Sequence, residues 1–62
     1  MSGPSDFLKE AARLRDMAHR ARRMAGQLSI EADRLRLEDY AQGLDADAAN
    51  CERRAAAEKT KE

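Results

Sequence analysis

The sequence has little of what usually stabilises a small protein. Its one cysteine, Cys51, cannot close a disulfide within the chain, and its one histidine, His19, has no nearby thiol with which to build a structural zinc site. Aromatic residues make up only 3% of the 62 residues. Chains this short usually need disulfides, a metal or self-association to be stable. Self-association is the support that remains, so the sequence predicts a protein that packs against a partner.

Long hydrophobic runs are also lacking. No stretch approaches the roughly 20 apolar residues of a membrane-spanning helix. The first residues, Met1 to Asp6, have neither the basic region nor the hydrophobic segment of an export signal. We therefore expect a cytoplasmic protein that does not enter a membrane.

The residues that are abundant favour helices. Thirteen residues are alanine, and leucine, arginine and glutamate account for much of the rest. These are strong helix formers, so the 39% of charged residues does not indicate disorder here. The composition predicts an all-α chain.

Two helices are predicted within a single domain covering residues 1–62. The first runs from about 5 to 25 and the second from about 29 to 59, with a flexible leader at 1–4 and a frayed tail at 60–62. A short connection makes consecutive helices antiparallel neighbours. The sequence therefore predicts a helical hairpin, which we expect to dimerise into a four-helix bundle.

Local signals suggest where these helices begin and end. Ser5 or Asp6 is expected to cap the first helix and Ser29 the second, because short polar side chains accept hydrogen bonds from the first backbone N–H groups. Gly26 is expected to end the first helix in a left-handed conformation. These signals place the turn at residues 26–29.

A heptad pattern of apolar residues runs along both helices, at alternating steps of four and three. On an antiparallel hairpin it predicts a register in which Phe7 faces Ala48 and Ala18 faces Leu37, each large residue opposite a small one. Residues after about Asn50 then have no partner within the chain. The residues predicted to form the core or the self-association surface are Phe7, Ala11, Leu14, Met17, Ala18, Ala21, Met24, Ala25, Leu28, Ile30, Leu37, Tyr40, Ala41, Leu44 and Ala48.

Gly43 supports an alternative fold. Glycine inside a helix costs about 1 kcal/mol relative to alanine, and Asp45 could cap a new helix just beyond it. A break at Gly43 would give a three-helix bundle with segments near 5–25, 29–42 and 45–60.

The sequence offers little for catalysis. His19 and Cys51 are the only combination that suggests a nucleophile and a base, and the predicted hairpin holds them far apart. Metal-binding bundles need inward Glu and Glu-x-x-His groups on facing helices, and that pattern is absent from the sequence. We therefore expect no enzymatic activity, no cofactor, no metal and no small-molecule substrate.

Basic residues are concentrated in the first helix. Residues 1–28 hold six lysines and arginines against three acidic residues, whereas residues 29–62 hold six against nine. An arginine-rich flank can bind phosphates. The candidate nucleic-acid contacts are Arg13, Arg15, Arg20, Arg22 and Arg23.

Part of the sequence resembles a set of short bacterial helical-hairpin proteins. The segment from Phe7 to Ala41 reads FLKEAARLRDMAHRARRMA, then a short turn, then EADRLRLEDYA. Those proteins pair an Ala/Leu/Arg-rich first helix with a second helix containing a Leu-x-x-x-Ala-x-x-Tyr-like core, to which Leu37, Tyr40 and Ala41 are loosely similar. The resemblance implies a hairpin and carries no activity.

By architecture the chain also resembles the plasmid copy-number regulators of the Rop type. These are helical hairpins of nearly this length that dimerise into a four-helix bundle and bind paired RNA hairpins. The resemblance implies that two hairpins can complete one core and that the first helices can present a doubled basic surface. It carries over no binding residue, because those regulators have an aromatic residue at mid-helix and Phe7 lies near one end.

Three functions are therefore expected from the sequence. The first is a non-catalytic interaction or assembly module that associates with itself through the Ala/Leu heptad seam. The second is a small nucleic-acid-binding regulator that uses the basic flank of the first helix. The third is an antagonist or antitoxin that folds on a different protein, since segments with too small a core can fold on binding.

Overall fold

The protein is a hairpin of two long helices in the computed structural model, which describes residues 3–60. Helix α1 spans Pro4–Gln27 and helix α2 spans Glu31–Thr60, with no strand among the described residues. The two helices pack side by side along a rod of 50 × 14 × 13 Å. The predicted all-α hairpin is confirmed. The predicted leader and tail lie partly at residues 1–2 and 61–62, outside the described residues.

Helix α1 begins earlier than the capping signals indicate. Gly3 is the N-cap, and Pro4 occupies the first helical position, where its missing N–H costs nothing. The Gly3 carbonyl accepts hydrogen bonds from the N–H groups of Asp6, at 3.0 Å, and Phe7, at 3.2 Å. The Asp6 carboxylate accepts the Gly3 N–H at 3.2 Å. The prediction that Ser5 or Asp6 is the cap is therefore wrong, although Asp6 does stabilise the first turn.

The turn lies at residues 28–30, later than predicted. Helix α1 continues through Gly26, and none of the glycines that the structure describes has a positive φ, so Gly26 is not a left-handed cap. The chain leaves the helix at Leu28, whose backbone is extended. Helix α2 starts at Glu31, and the Ile30 carbonyl accepts the Arg34 N–H at 3.0 Å. Ser29 therefore precedes the N-cap position by one residue.

Helix α2 passes through Gly43 without a break. It is one helix of 30 residues, so the three-helix alternative is wrong. The cost of one glycine is about 1 kcal/mol, which an uninterrupted packing face on both sides of it can offset.

The core between the helices consists mainly of alanine. The buried apolar residues are Ala11, Leu14, Ala18, Ala21, Ala25, Ala41, Leu44, Ala48 and Ala55. Met17, Leu37 and Cys51 are half-buried against this core, and Phe7 is half-buried near the open end. The heptad seam predicted from the sequence thus lies between the helices.

Four residues of the predicted set are exposed on the hairpin: Met24, Leu28, Ile30 and Tyr40. Leu28 and Ile30 belong to the turn, where the chain reverses direction and no second helix covers them. Met24 and Tyr40 lie to one side of the helix contact. Their assignment to the core of the hairpin is wrong, and a role in self-association stays a prediction.

The register differs from the predicted one by about six residues. Arg54 lies over the Phe7 ring, with 5.9 Å from its guanidinium carbon to the ring centroid, where Ala48 was expected. Six residues correspond to about 9 Å along a helix. The later turn contributes to this shift, because the position of the turn sets which residues of the two helices lie side by side. Residues beyond Asn50 therefore do have a partner, and Ala55 is buried.

Replacing Gly43 with alanine should stabilise the protein. A Cβ built at Gly43 meets nothing within 4 Å, and the backbone there is helical. We expect Gly43→Ala to raise the free energy of unfolding by about 1 kcal/mol, measured by urea denaturation followed by circular dichroism. Gly26→Ala should also stabilise, whereas a left-handed Gly26 would make alanine destabilising. A loss in either variant would contradict the helical geometry described here.

Enlarging a core alanine should do the opposite. Ala18 has no exposed surface, so a leucine there must push the helices apart. We expect Ala18→Leu to reduce the free energy of unfolding by about 1–3 kcal/mol. The matched control is Ala12→Leu, on the exposed side of the same helix, which should change it by about 0.5 kcal/mol or less. Equal effects at both positions in thermal melts would count against a close contact at Ala18.

Candidate interaction surfaces

Two of the candidate arginines face α2 and form a chain of ion pairs with it. Arg15 donates to both carboxylate oxygens of Glu52, at 2.7 and 3.0 Å, and lies 3.6 Å from Asp45. Arg22 pairs with the other oxygen of Asp45 at 2.7 Å. We call Arg15, Arg22, Asp45 and Glu52 the ionic flank. Its four charges cancel within the hairpin.

Two further candidate arginines pair within α1. Arg13 forms a bidentate contact with the Glu10 carboxylate at 2.6 and 2.8 Å, and Arg20 pairs with Asp16 at 3.0 Å. Arg23 is exposed, and within residues 3–60 it has no ion-pair partner. The basic surface predicted from the sequence is thus largely neutralised by neighbouring carboxylates.

These contacts shift the pKa of the groups involved. The hydrogen bond from Arg15 lowers the pKa of the Glu52 carboxyl and in turn raises the pKa of Arg15. Arg13 and Glu10 affect each other in the same way, and the Tyr40 hydroxyl adds a smaller electrostatic contribution that raises the pKa of Arg13. All of these groups are at the surface, where a single ion pair contributes little to stability. The main effect of the Arg15–Glu52 pair, which joins the two helices, is to fix which side of α1 faces which side of α2.

The opposite side of the hairpin carries apolar side chains. The Arg13 guanidinium donates to the Met17 sulfur at 3.1 Å, and Met24 follows seven residues later on the same face of α1. Tyr40 lies across from them on α2, close enough to Arg13 for the electrostatic interaction noted above. We call Met17, Met24 and Tyr40 the methionine flank. Met24 and Tyr40 are more than half exposed.

Two open depressions lie at the ends of the ionic flank. An apolar groove of about 210 Å³ at the open end is lined by Pro4, Leu8, Glu52, Ala55, Ala56 and Lys59. A more polar depression of about 520 Å³ near the turn is lined by Arg22, Leu35, Glu38, Asp39 and Gln42. Leu8 and Leu35 are exposed there, but they lie about 27 Å apart along the rod. They do not form one continuous apolar surface.

The two residues considered for catalysis lie in different environments. His19 is exposed on α1, whereas Cys51 is half-buried against the core on α2. The Phe7–Arg54 contact implies that Cys51 lies opposite Ala11 or its neighbours, about two turns from His19. The structure does not bring them together. Among the described residues, no group of three or more His, Cys, Asp or Glu side chains is placed to share a metal ion.

Sequence reasoning missed the ionic flank. Its signal was present, because Arg15 and Arg22 are seven residues apart, as are Asp45 and Glu52. Seven residues return to the same face of a helix, so each pair forms a row beside the seam. In the predicted register, in which Phe7 faces Ala48, Asp33 comes opposite Arg22. In the structure the Arg22 side chain instead reaches along the rod to Asp45.

No protein-family model, curated protein or solved structure matches this chain. The resemblances drawn from the sequence stay predictions. In the part of the chain that the structure describes, neither helix contains a stretch long and apolar enough to cross a membrane.

The Glu52–Arg15 pair predicts a component of stability that acid removes. Because the folded pKa of Glu52 is lowered from 4.5, its contribution is present above about pH 4.5 and is lost as pH falls through the lowered value. Glu52→Gln should therefore melt at a lower temperature than the parent chain at pH 7. The difference in melting temperature between the two should disappear on acidification. Glu58→Gln, at an exposed position of the same helix, is the control. A difference in melting temperature that persists at the lowest pH would contradict this role, and so would a control variant with the same pH dependence as Glu52→Gln.

Proposed function

We propose that this chain is a non-catalytic helical interaction module of the cytoplasm that assembles with itself. One contrast in the structure supports the proposal. Among the described residues, those buried between the helices are seven alanines and two leucines, while six larger apolar side chains are exposed. The exposed set consists of Leu8, Met24, Leu28, Ile30, Leu35 and Tyr40.

The size of the buried side chains explains why this contrast matters. Burial stabilises by about 25 cal/mol per Å² of apolar surface, and an alanine side chain offers little surface. Small domains rely on larger side chains, and no side chain larger than alanine is fully buried within residues 3–59. A second hairpin that covers the exposed residues would supply the missing core.

The ion pairs that the arginines already make favour self-assembly over nucleic-acid binding. Arg13, Arg15, Arg20 and Arg22 each contact a carboxylate of the same chain, and the net charge of the sequence is zero. Phosphate binding would first have to break these pairs or compete with them. Nucleic-acid affinity comes mainly from cations that are free to displace counterions. The exposed apolar residues have no comparable partners within the hairpin.

Sedimentation equilibrium of the 6.9 kDa chain over a hundredfold concentration range tests the proposal. We expect a dimer or a higher oligomer whose melting temperature rises with concentration, because association stabilises the folded chain by mass action. A monomer that melts cooperatively at all concentrations would overturn self-assembly.

A monomer with little helix by circular dichroism would overturn it in a different way, in favour of folding on another protein. RNA binding can be measured in parallel at low salt. Binding that falls steeply with salt and is lost in the Arg20→Ala, Arg22→Ala, Arg23→Ala triple variant would favour the regulator instead.

A further inference from the structure

The two long sides of the hairpin differ in what a second molecule would meet. The ionic flank is already satisfied by pairs between α1 and α2, and covering it would remove water from four charged groups. Its exposed leucines, Leu8 and Leu35, are separated by about 27 Å along the rod, whereas Met17 and Met24 are about 10 Å apart on one helix. The three apolar side chains of the methionine flank instead lie together in the half of the hairpin nearest the turn, where Arg20, Arg23 and Gln27 border Met24.

The methionine flank is built from two rows. On α1 the row is Met17 and Met24, with Arg13 and its partner Glu10 beside it. On α2 the row is Tyr40, Asp47 and Arg54, which follow one another at steps of seven residues and share a face. With Arg54 over Phe7, Tyr40 comes level with the stretch between Met17 and Met24. The same register brings Asp47 level with Arg13. Within residues 3–60, Asp47 has no ion-pair partner.

We propose that a second copy of this chain docks on the methionine flank with both hairpins pointing the same way, so that α1 of each lies against α2 of the other. This inference rests on the proposed self-assembly and specifies its surface and direction. A two-fold axis along the rod places Met17 and Met24 against the partner's Tyr40. The same axis repeats that contact on the other side.

Charge selects this direction over the reverse one. In the same-direction dimer Arg13, which keeps its pair with Glu10, comes opposite the partner's Asp47, twice, and a helix rich in basic residues meets one rich in acidic residues. Turning one hairpin end over end would place α1 on α1 and α2 on α2. Like charges would then face each other, and the apolar half of each flank would meet the charged half of its partner. Complementary charges choose orientation more than they add affinity.

The dimensions of the rod permit such a dimer. A side of 50 by 13 Å has a projected area of about 650 Å² per copy, or about 1,300 Å² in total. Stable interfaces bury about 1,200–2,000 Å², so the flank must be covered along most of its length. Full overlap of two hairpins side by side provides this, whereas a partial overlap near the turn would not.

Matched glutamate substitutions on the two flanks test the surface. Met24 and Leu35 are 56% and 57% exposed on the hairpin, on the methionine side and the ionic side respectively. We expect Met24→Glu to weaken dimerisation at least tenfold in sedimentation equilibrium and Leu35→Glu to change it less than threefold. Tyr40→Glu should behave like Met24→Glu. Circular dichroism at high concentration checks that each variant keeps its helix content.

The reverse pattern, with Leu35→Glu dissociating the dimer and Met24→Glu tolerated, would place the interface on the ionic flank and overturn the inference while leaving self-assembly intact. A parent chain that is monomeric throughout would overturn self-assembly itself. The two failures are therefore distinguishable.

Spin labels at the turn test the direction. In a chain carrying Cys51→Ser and Ser29→Cys, the same-direction dimer brings the two labels to one end of the bundle. Double electron–electron resonance should then give a distance between the two labels of about 25 Å or less, which is set by the width of two rods. An end-over-end dimer would separate the labels by about 40 Å or more. That longer distance would overturn the proposed direction.

Discussion

The close contact of two alanine-lined helix faces is the constraint on which the rest of this structure depends. Ala18, Ala41 and Ala48 have no exposed surface, and no bulky side chain separates the two helices at these points. Such a contact is specific, because any larger residue would force the helices apart. It is also weak, because little apolar surface is removed from water. Specific geometry and marginal stability thus have the same cause.

Close approach of the helices determines where every longer side chain must go. A residue beside the seam cannot point between the helices, so it extends along one side of the rod. Arg15 and Arg22 extend towards the carboxylates of α2, whereas Met17 and Met24 extend in the other direction. One side becomes charged and internally paired, and the other becomes apolar and open. The two-sided character of the hairpin follows from its narrow core.

The sequence was sufficient for the hairpin and its seam because both depend on local periodicity. Heptad spacing located the buried positions from Ala11 to Ala48, and the direction of the chain followed from a short turn. The register was not predictable in the same way. It depends on where each helix ends, and Gly26 and Ser29 are conventional end signals that this chain does not use as such. An error of a few residues at the turn displaces every pair along the rod.

The same error explains what was missed at the candidate surfaces. The arginines of α1 were recognised from the sequence. Their carboxylate partners on α2 could not be identified with the wrong register, so the arginines were interpreted as a free basic flank. Once Arg22 is placed beside Asp45, most of that flank is neutral. The exposed apolar side chains of Met24 and Tyr40 then remain as the part of the surface whose contact with water is unfavourable. A surface that already satisfies its charges has little to gain from a partner, whereas an apolar one gains by leaving water.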